Sequence, residues 1–426
     1  MAKARTPVME PAVTSDFALD QVPPDWEVVD FEESVFRGRV KVSKVKSSDY
    51  LPEGKHPVID QGQEFIAGYS NQDKGIYAGD LPVIVFGDHT RIFKFVDFPF
   101  FAGADGTQIL VPQTGKFDPR FLYFALTHIK VPSRGYNRHF SILKQKKIVC
   151  PPLSEQRAIA HVLRTVQRAK EATEKVIAAA HQLKQSLMRH LFTYGPVPVD
   201  QADHVELRET EFGDVPADWK IETLSHCAEV QTGIAKGRKV EAADAIMVPY
   251  LRVANVQDGF LDLTEIKEIP IRKGELKRFA LKAGDVLLTE GGDFDKLGRG
   301  FIWNGEIPTC VHQNHIFAVR ANRQTISSDY LAYLTQSQYG KSYFLTVAHR
   351  TTHLACINTT KLKALPVPIP PLQGQEAITG RLKTIDRKYL TEMDRRNALD
   401  TLFQTLLHGL MTGQIRLPGF ASAKVR

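Results

Sequence analysis

The sequence predicts an α+β protein: two mixed α/β domains joined by two long antiparallel coiled-coil helices, with an internal pseudo-two-fold repeat. Three observations carry this. Pro151, Pro152, Leu153, Gln156, Ala158, Ile159, Leu163, Thr165, Leu183, Gln185, Leu187, Leu191 and Thr193 each reappear 219 residues later, and the offset never slips. Such a register marks a duplicated unit, each copy a globular domain followed by a helix. Each of the two stretches that follow the proline pairs carries a narrow apolar seam. Before each of them the chain reads as short strands and turns.

The elements follow in order. Residues 1–20 mix Pro, Ala, Ser and charge without an apolar signal core, and read as a flexible tail. The first domain spans 21–153. It opens on Val22-Pro23-Pro24-Asp25-Trp26, and the second, 195–372, carries the related phrase Val215-Pro216-Ala217-Asp218-Trp219. Both tryptophans fit core anchors beside a proline turn. Gly79-Asp80 leads into Leu81–Phe86 and then Gly87-Asp88; Gly284-Asp285 leads into Val286–Thr289 and then Gly291-Gly292-Asp293. Glycine suits the tight turns around a buried strand. A short helix with an aromatic face follows in each copy, over 117–126 and 328–335, and then a polar loop.

The proline pairs set a sharp boundary, because proline fixes φ and disfavours helix in the residue before it. Ser154 is a good N-cap for a helix over 154–194, and Glu155 suits its positive end. Gln373 and Gly374 cap the second helix, 373–413, less well. In the first, Val162, Val166, Ala169, Thr173, Val176, Ala180, Leu183 and Leu187 recur at steps of three and four. In the second, Ile378, Leu382, Ile385, Tyr389, Met393, Arg396, Leu399, Phe403, Leu406 and Leu410 do nearly the same. A helix of about 40 residues is ~60 Å long and cannot bury its stripe on its own domain, so each is expected to pack on the other, antiparallel, with a domain at either end of a rod. Residues 414–426 form a tail.

Composition narrows the function. Hydrophobic residues at 43% and charged residues at 24% are ordinary for a folded soluble chain. The excess of 55 Lys+Arg over 48 Asp+Glu gives +7, which favours a polyanionic partner such as nucleic acid. Cys150, Cys227, Cys310 and Cys356 lie far apart without metal-like spacing and read as reduced thiols in a cytoplasmic protein. No run approaches ~18 apolar residues, so no membrane span is expected.

Catalytic signatures are missing. There is no Gly-x-x-x-x-Gly-Lys-Ser/Thr loop, no His-Glu-x-x-His helix and no Gly-x-Ser-x-Gly elbow. No Asn/Asp-Pro-Pro-aromatic tetrad occurs, since Cys150 and Ile369 precede the proline pairs. Phe101-Ala102-Gly103-Ala104-Asp105-Gly106 opens no helix and reads as a turn. The chain is therefore expected not to be an enzyme, with no cofactor or metal of its own.

The polar loops are the candidate sites. Tyr136, Asn137, Arg138 and His139 precede the lysine run of Lys144, Lys146 and Lys147; His349-Arg350-Thr351-Thr352-His353 holds the same place in the second copy. Two basic glycine turns add Lys236, Arg238 and Lys239, and Lys296 and Arg299. Arg, Asn and His read base edges, and Lys and Thr suit phosphates. For any one residue a solvated turn is an equal reading. Recurrence at equivalent places in both copies is what favours DNA.

This layout resembles the specificity subunit of Type I restriction–modification enzymes, from about Val22 to Thr412. The resemblance rests on Pro151-Pro152-Leu153-Ser154-Glu155-Gln156-Arg157 with its echo at 370–376, on Pro249–Gly259, and on Gly284-Asp285-Val286-Leu287-Leu288. The echo has Gly374 where an acid would stand, and the first copy keeps only 57–62 of the Pro249–Gly259 phrase. The resemblance implies two target-recognition domains, each reading half of a bipartite site on double-stranded DNA, with helices that space them. It further implies docking of two methyltransferase subunits, then of restriction/translocase subunits. S-adenosylmethionine, ATP and Mg would belong to those partners. The alternatives are a stand-alone DNA methyltransferase or nuclease with unrecognised motifs, and a pure protein scaffold.

Overall fold

A computed structural model describes residues 22–36, 42–133, 135, 137–237, 239–292, 297–350 and 355–417, with Arg350 described by its backbone alone. The chain divides into two units: residues 1–174 with 394–426, and residues 175–393. Both boundaries fall inside long helices, which run Leu153–Tyr194 and Leu372–Met411.

In the first unit, strand Glu27–Asp30 pairs antiparallel with Lys147–Cys150, so the domain's first and last strands are neighbours. A three-stranded sheet has the fully buried Val83–Gly87 at its centre, between Phe93–Val96 and Thr107–Leu110. Its apolar content on both faces explains why this strand reads as a continuous hydrophobic run rather than an alternating one. A four-stranded sheet runs Lys44–Val45, Phe101–Gly103, His56–Ile59, Gly68–Ser70. Helix Pro119–His128 begins where sequence chemistry dictates: Asp118 accepts from the Arg120 and Phe121 N–H groups at 3.0 and 2.9 Å, with proline at the first helical turn. It buries Phe121, Leu122 and Leu126 in a core shared with Ile159 and Leu163 of the first long helix and Leu407, Leu410 and Met411 of the second.

The second unit repeats the plan. Strand Lys220–Thr223 pairs with Pro366–Ile369, and Asp285–Thr289 lies between Ile316–Ala321 and Gly300–Trp303 in a four-stranded sheet completed by Ala228–Thr232. Helix Ser328–Gln336 is capped by Ser327 and followed by a second helix, Gln338–Val347. The core joins Met188, Leu191 and Phe192 of the first long helix to Ile378 and Leu382 of the second. The tryptophans are core anchors in their respective units, Trp26 at 6% and Trp219 at 4% exposure.

The long helices are antiparallel. Lys170 pairs with Asp400 in the first unit and Lys184 with Asp386 in the second, so fourteen residues forward on one helix is fourteen back on the other. Two seam positions differ from expectation: Val176 and Leu183 are 39% and 57% exposed. An α-helix drifts about 20° per heptad against a 3.5-residue repeat, and near Leu183 the inward position has passed to its neighbour Lys184. Among the described residues no helix is long and apolar enough to cross a membrane.

Candidate nucleic-acid interface

In the first unit the polar segment 131–139 links helix Pro119–His128 to the short helix Phe140–Leu143. Asn137 and Arg138 are exposed there, and the Arg138 Nε stands 4.0 Å from Asp88. Lys144 is half-exposed, with Nζ 3.5 Å from Glu32 and 5.3 Å from the centre of the Phe140 ring. Arg138 and Lys144 share an open cleft of about 1050 Å³ with Lys44, Thr107 and Phe36. Lys44 donates to the Thr107 carbonyl at 3.0 Å, and Phe36 is 61% exposed. Glu32 and Asp105 line it too, leaving three cations against two carboxylates, and with its exposed aromatic edge the cleft suits a phosphodiester beside a base. Tyr136 lies outside the described residues.

His139 corrects the sequence reading. Its side chain is fully buried, its ring Nδ1 is 2.9 Å from the Asp88 carbonyl, and it fastens the loop from inside rather than facing a ligand. Lys146 is likewise turned inward, at 5% exposure.

In the second unit, strand Gly291–Gly292 pairs with Ala355–Cys356, which pairs with His349–Arg350. The backbone segments that lead into the two basic stretches, Gly291–Gly292 and His349–Arg350, therefore lie in one small sheet. Lys296, Thr351, Thr352, His353 and Arg238 lie outside the described residues, as does the side chain of Arg350. Arg299 is half-buried, and its carbonyl accepts from the Thr289 N–H at 3.0 Å. The glycine beside it is structural: Gly298 has φ +65°, and a Cβ there would stand 2.4 Å from the Phe344 ring. Lys236 and Lys239 are exposed on another turn, after strand Ala228–Thr232.

The buried ionisable groups are structural. Lys94, at 4% exposure, donates to the Glu64 carbonyl; burial lowers its amine pKa against the opposing pull of Asp60 at 3.7 Å. Burial pushes His312 down to about 4, which keeps the imidazole neutral in the core. Among the described residues no group of three or more His, Cys, Asp and Glu side chains is placed to hold a metal.

Sequence reasoning missed Lys44, Asp88 and Arg91. Asp88 was visible only as half of a Gly-Asp turn, and Lys44 and Arg91 belong to no pattern. Their roles come from partners 40 to 63 residues away.

A family model described as "Type I restriction modification DNA specificity domain" matches residues 23–182 and again 216–401. The chain is 24% identical over 418 residues, 93% of its length and 94% of the other, to the Type I restriction enzyme MjaVIII specificity subunit of Methanocaldococcus jannaschii. It is 23% identical over 356 residues to the EcoR124I/EcoR124II specificity subunit of Escherichia coli, 80% of this chain and 82% of that one. In fold it is similar to the crystal structure of the Type I restriction–modification S subunit from M. genitalium. That likeness has a TM-score of 0.60 at 15% identity, over 93% of this chain and 99% of the other.

Proposed function

From a chain that belongs to the Type I restriction–modification DNA specificity family, we infer a sequence-specific DNA-recognition subunit that reads a bipartite target, one half with each domain. One observation carries this reading. In the first unit the chain leaves helix Pro119–His128 by a polar, basic segment and returns through the short helix Phe140–Leu143 to the strand that closes the domain; in the second it leaves helix Gln338–Val347 by strand His349–Arg350 and returns through the short helix Thr359–Lys363 to its closing strand. Two copies of one domain plan are what a two-part target requires. In the first unit that loop sets Arg138 beside Lys44 and Lys144, a side-chain set that reads guanine edges and neutralises phosphates.

The long helices space the half-sites and dock partners. Leu183 and Leu402 are the same residue 219 positions apart, and both are open to solvent, at 57% and 45%. A large apolar side chain retained twice on an outer helix face fits a partner that binds twice. Those partners are two methyltransferase subunits, which restriction/translocase subunits then join. Methyl transfer and translocation, with S-adenosylmethionine, ATP and Mg, belong to them; this chain supplies recognition without catalysis.

The test is co-expression with the methyltransferase subunit, followed by sequencing of the methylated genome. A motif of two fixed halves separated by unspecified bases is expected. Replacing residues 22–150 with those of a relative should change one half and leave the other; a change in both halves would overturn modular reading.

A further inference from the structure

Both ends of the first unit's reading loop are fastened to a single β-turn, the one joining strand Val83–Gly87 to Phe93–Val96. At the far end of the loop, Asp88 Oδ1 accepts from the backbone N–H groups of His139 and Phe140, each at 2.7 Å, and its carbonyl lies 2.9 Å from both His139 N and Nδ1. At the near end, the Arg91 Nη1 donates to the Val131 carbonyl at 3.0 Å. The turn is itself held. Asp88 N–H donates to the Gly106 carbonyl at 2.7 Å, the His89 N–H to Gln61 Oε1 at 3.1 Å, and the Thr90 hydroxyl to the Gln61 carbonyl at 2.5 Å. Asp88 is 2% exposed, so its carboxylate is committed to the interior rather than to solvent.

Arg91 carries a second mark. Its φ is +64°, a left-handed conformation disfavoured for a side chain with a Cβ. Glycine would hold such a turn more easily, yet an arginine stands there, and its guanidinium reaches 40 residues along the chain to the start of the loop. A strained position persists where its surroundings over-determine it, and such positions gather at functional loops.

We propose that Asp88 and Arg91 are positioning residues for base recognition: they fix both ends of the 131–139 loop and thereby determine what the first half-site reader accepts. The proposal rests on the DNA-recognition reading above. Base-edge hydrogen bonds are short and directional, so a loop free to shift by about 1 Å at its base loses discrimination before it loses phosphate affinity.

Arg91→Gly is the cleanest test. Glycine adopts φ +64° without penalty, so the turn persists while the guanidinium is lost. In the complex with its methyltransferase subunits, we measure methylation of the cognate site against sites carrying one mismatch in either half. Arg91→Gly should reduce discrimination in the first half by about tenfold, leave the second half unchanged and keep the wild-type melting temperature. Asp88→Ala should act in the same direction, and Asp88→Asn, which retains an acceptor oxygen for the two N–H groups, should restore most of the loss. Unchanged first-half discrimination in a folded Arg91→Gly protein would overturn the proposal, as would equal losses in both halves. A wild-type complex that methylates without sequence preference would instead overturn the DNA-recognition reading itself.

Discussion

Gln156 and Gln375 occupy the same turn of the two long helices and make the same contacts. Gln156 accepts from the Asp118 N–H at 2.8 Å and donates to the Lys116 and Pro151 carbonyls at 3.0 and 2.8 Å. Gln375 accepts from the Ser327 N–H at 2.8 Å and donates to the Thr325 and Pro370 carbonyls, both at 3.0 Å. Both are fully buried. A carboxamide is the one side-chain group of this shape that accepts once and donates twice, so it satisfies the residue that caps the short helix and the loop before it. Replacing either glutamine by alanine leaves three buried backbone groups without that partner, and should lower unfolding free energy by about 3 kcal/mol in denaturant titration. Gln→Glu at either position should be no better, because a carboxylate cannot donate to the two carbonyls. Losses under about 0.5 kcal/mol in all four variants would show that the contacts do not hold the unit. The sequence displays both glutamines in register, yet their role was illegible there. Their partners lie 38 to 50 residues upstream, and no local pattern records that approach. His139 was misread for a related reason: a polar residue in a polar loop looks exposed until the turn that buries it is known.

At the scale of elements, the long helices and the central strands were the most legible part of the chain. Proline pairs, a repeated seam and glycine-bounded apolar runs are local signals, and local signals survive in sequence. The seam failed only where helix geometry drifts, at Val176 and Leu183. Strand partners were not legible, because pairing Glu27–Asp30 with Lys147–Cys150 spans the whole domain. The spacer role of the helices has a direct test. Inserting four residues, close to one turn, at the midpoint of each helix adds ~6 Å at 1.5 Å per residue. The gap between half-sites in the methylated motif should grow by about two base pairs at ~3.4 Å each. A folded insertion variant with an unchanged gap would rule out the ruler.

At the scale of the whole molecule, duplication predicts paired behaviour. Leu183→Lys and Leu402→Lys each place a charge on an already exposed helix position, so folding should be preserved. Each single variant should carry one methyltransferase subunit fewer by native mass measurement, and the double variant none. Full occupancy in the double variant would move the docking site elsewhere. The way each unit borrows a helix segment has a further consequence, in the order of events on the ribosome. The first unit's core includes Leu407, Leu410 and Met411, which are synthesised more than 200 residues after its own domain. At about 5–20 residues per second, the apolar face formed by Ile159, Leu163 and the helix at 119–128 waits about twelve to fifty seconds for its covering helix. The nascent chain therefore passes through a long interval as an incomplete domain, exposed to chaperones and to any other chain bearing a spare copy of that helix.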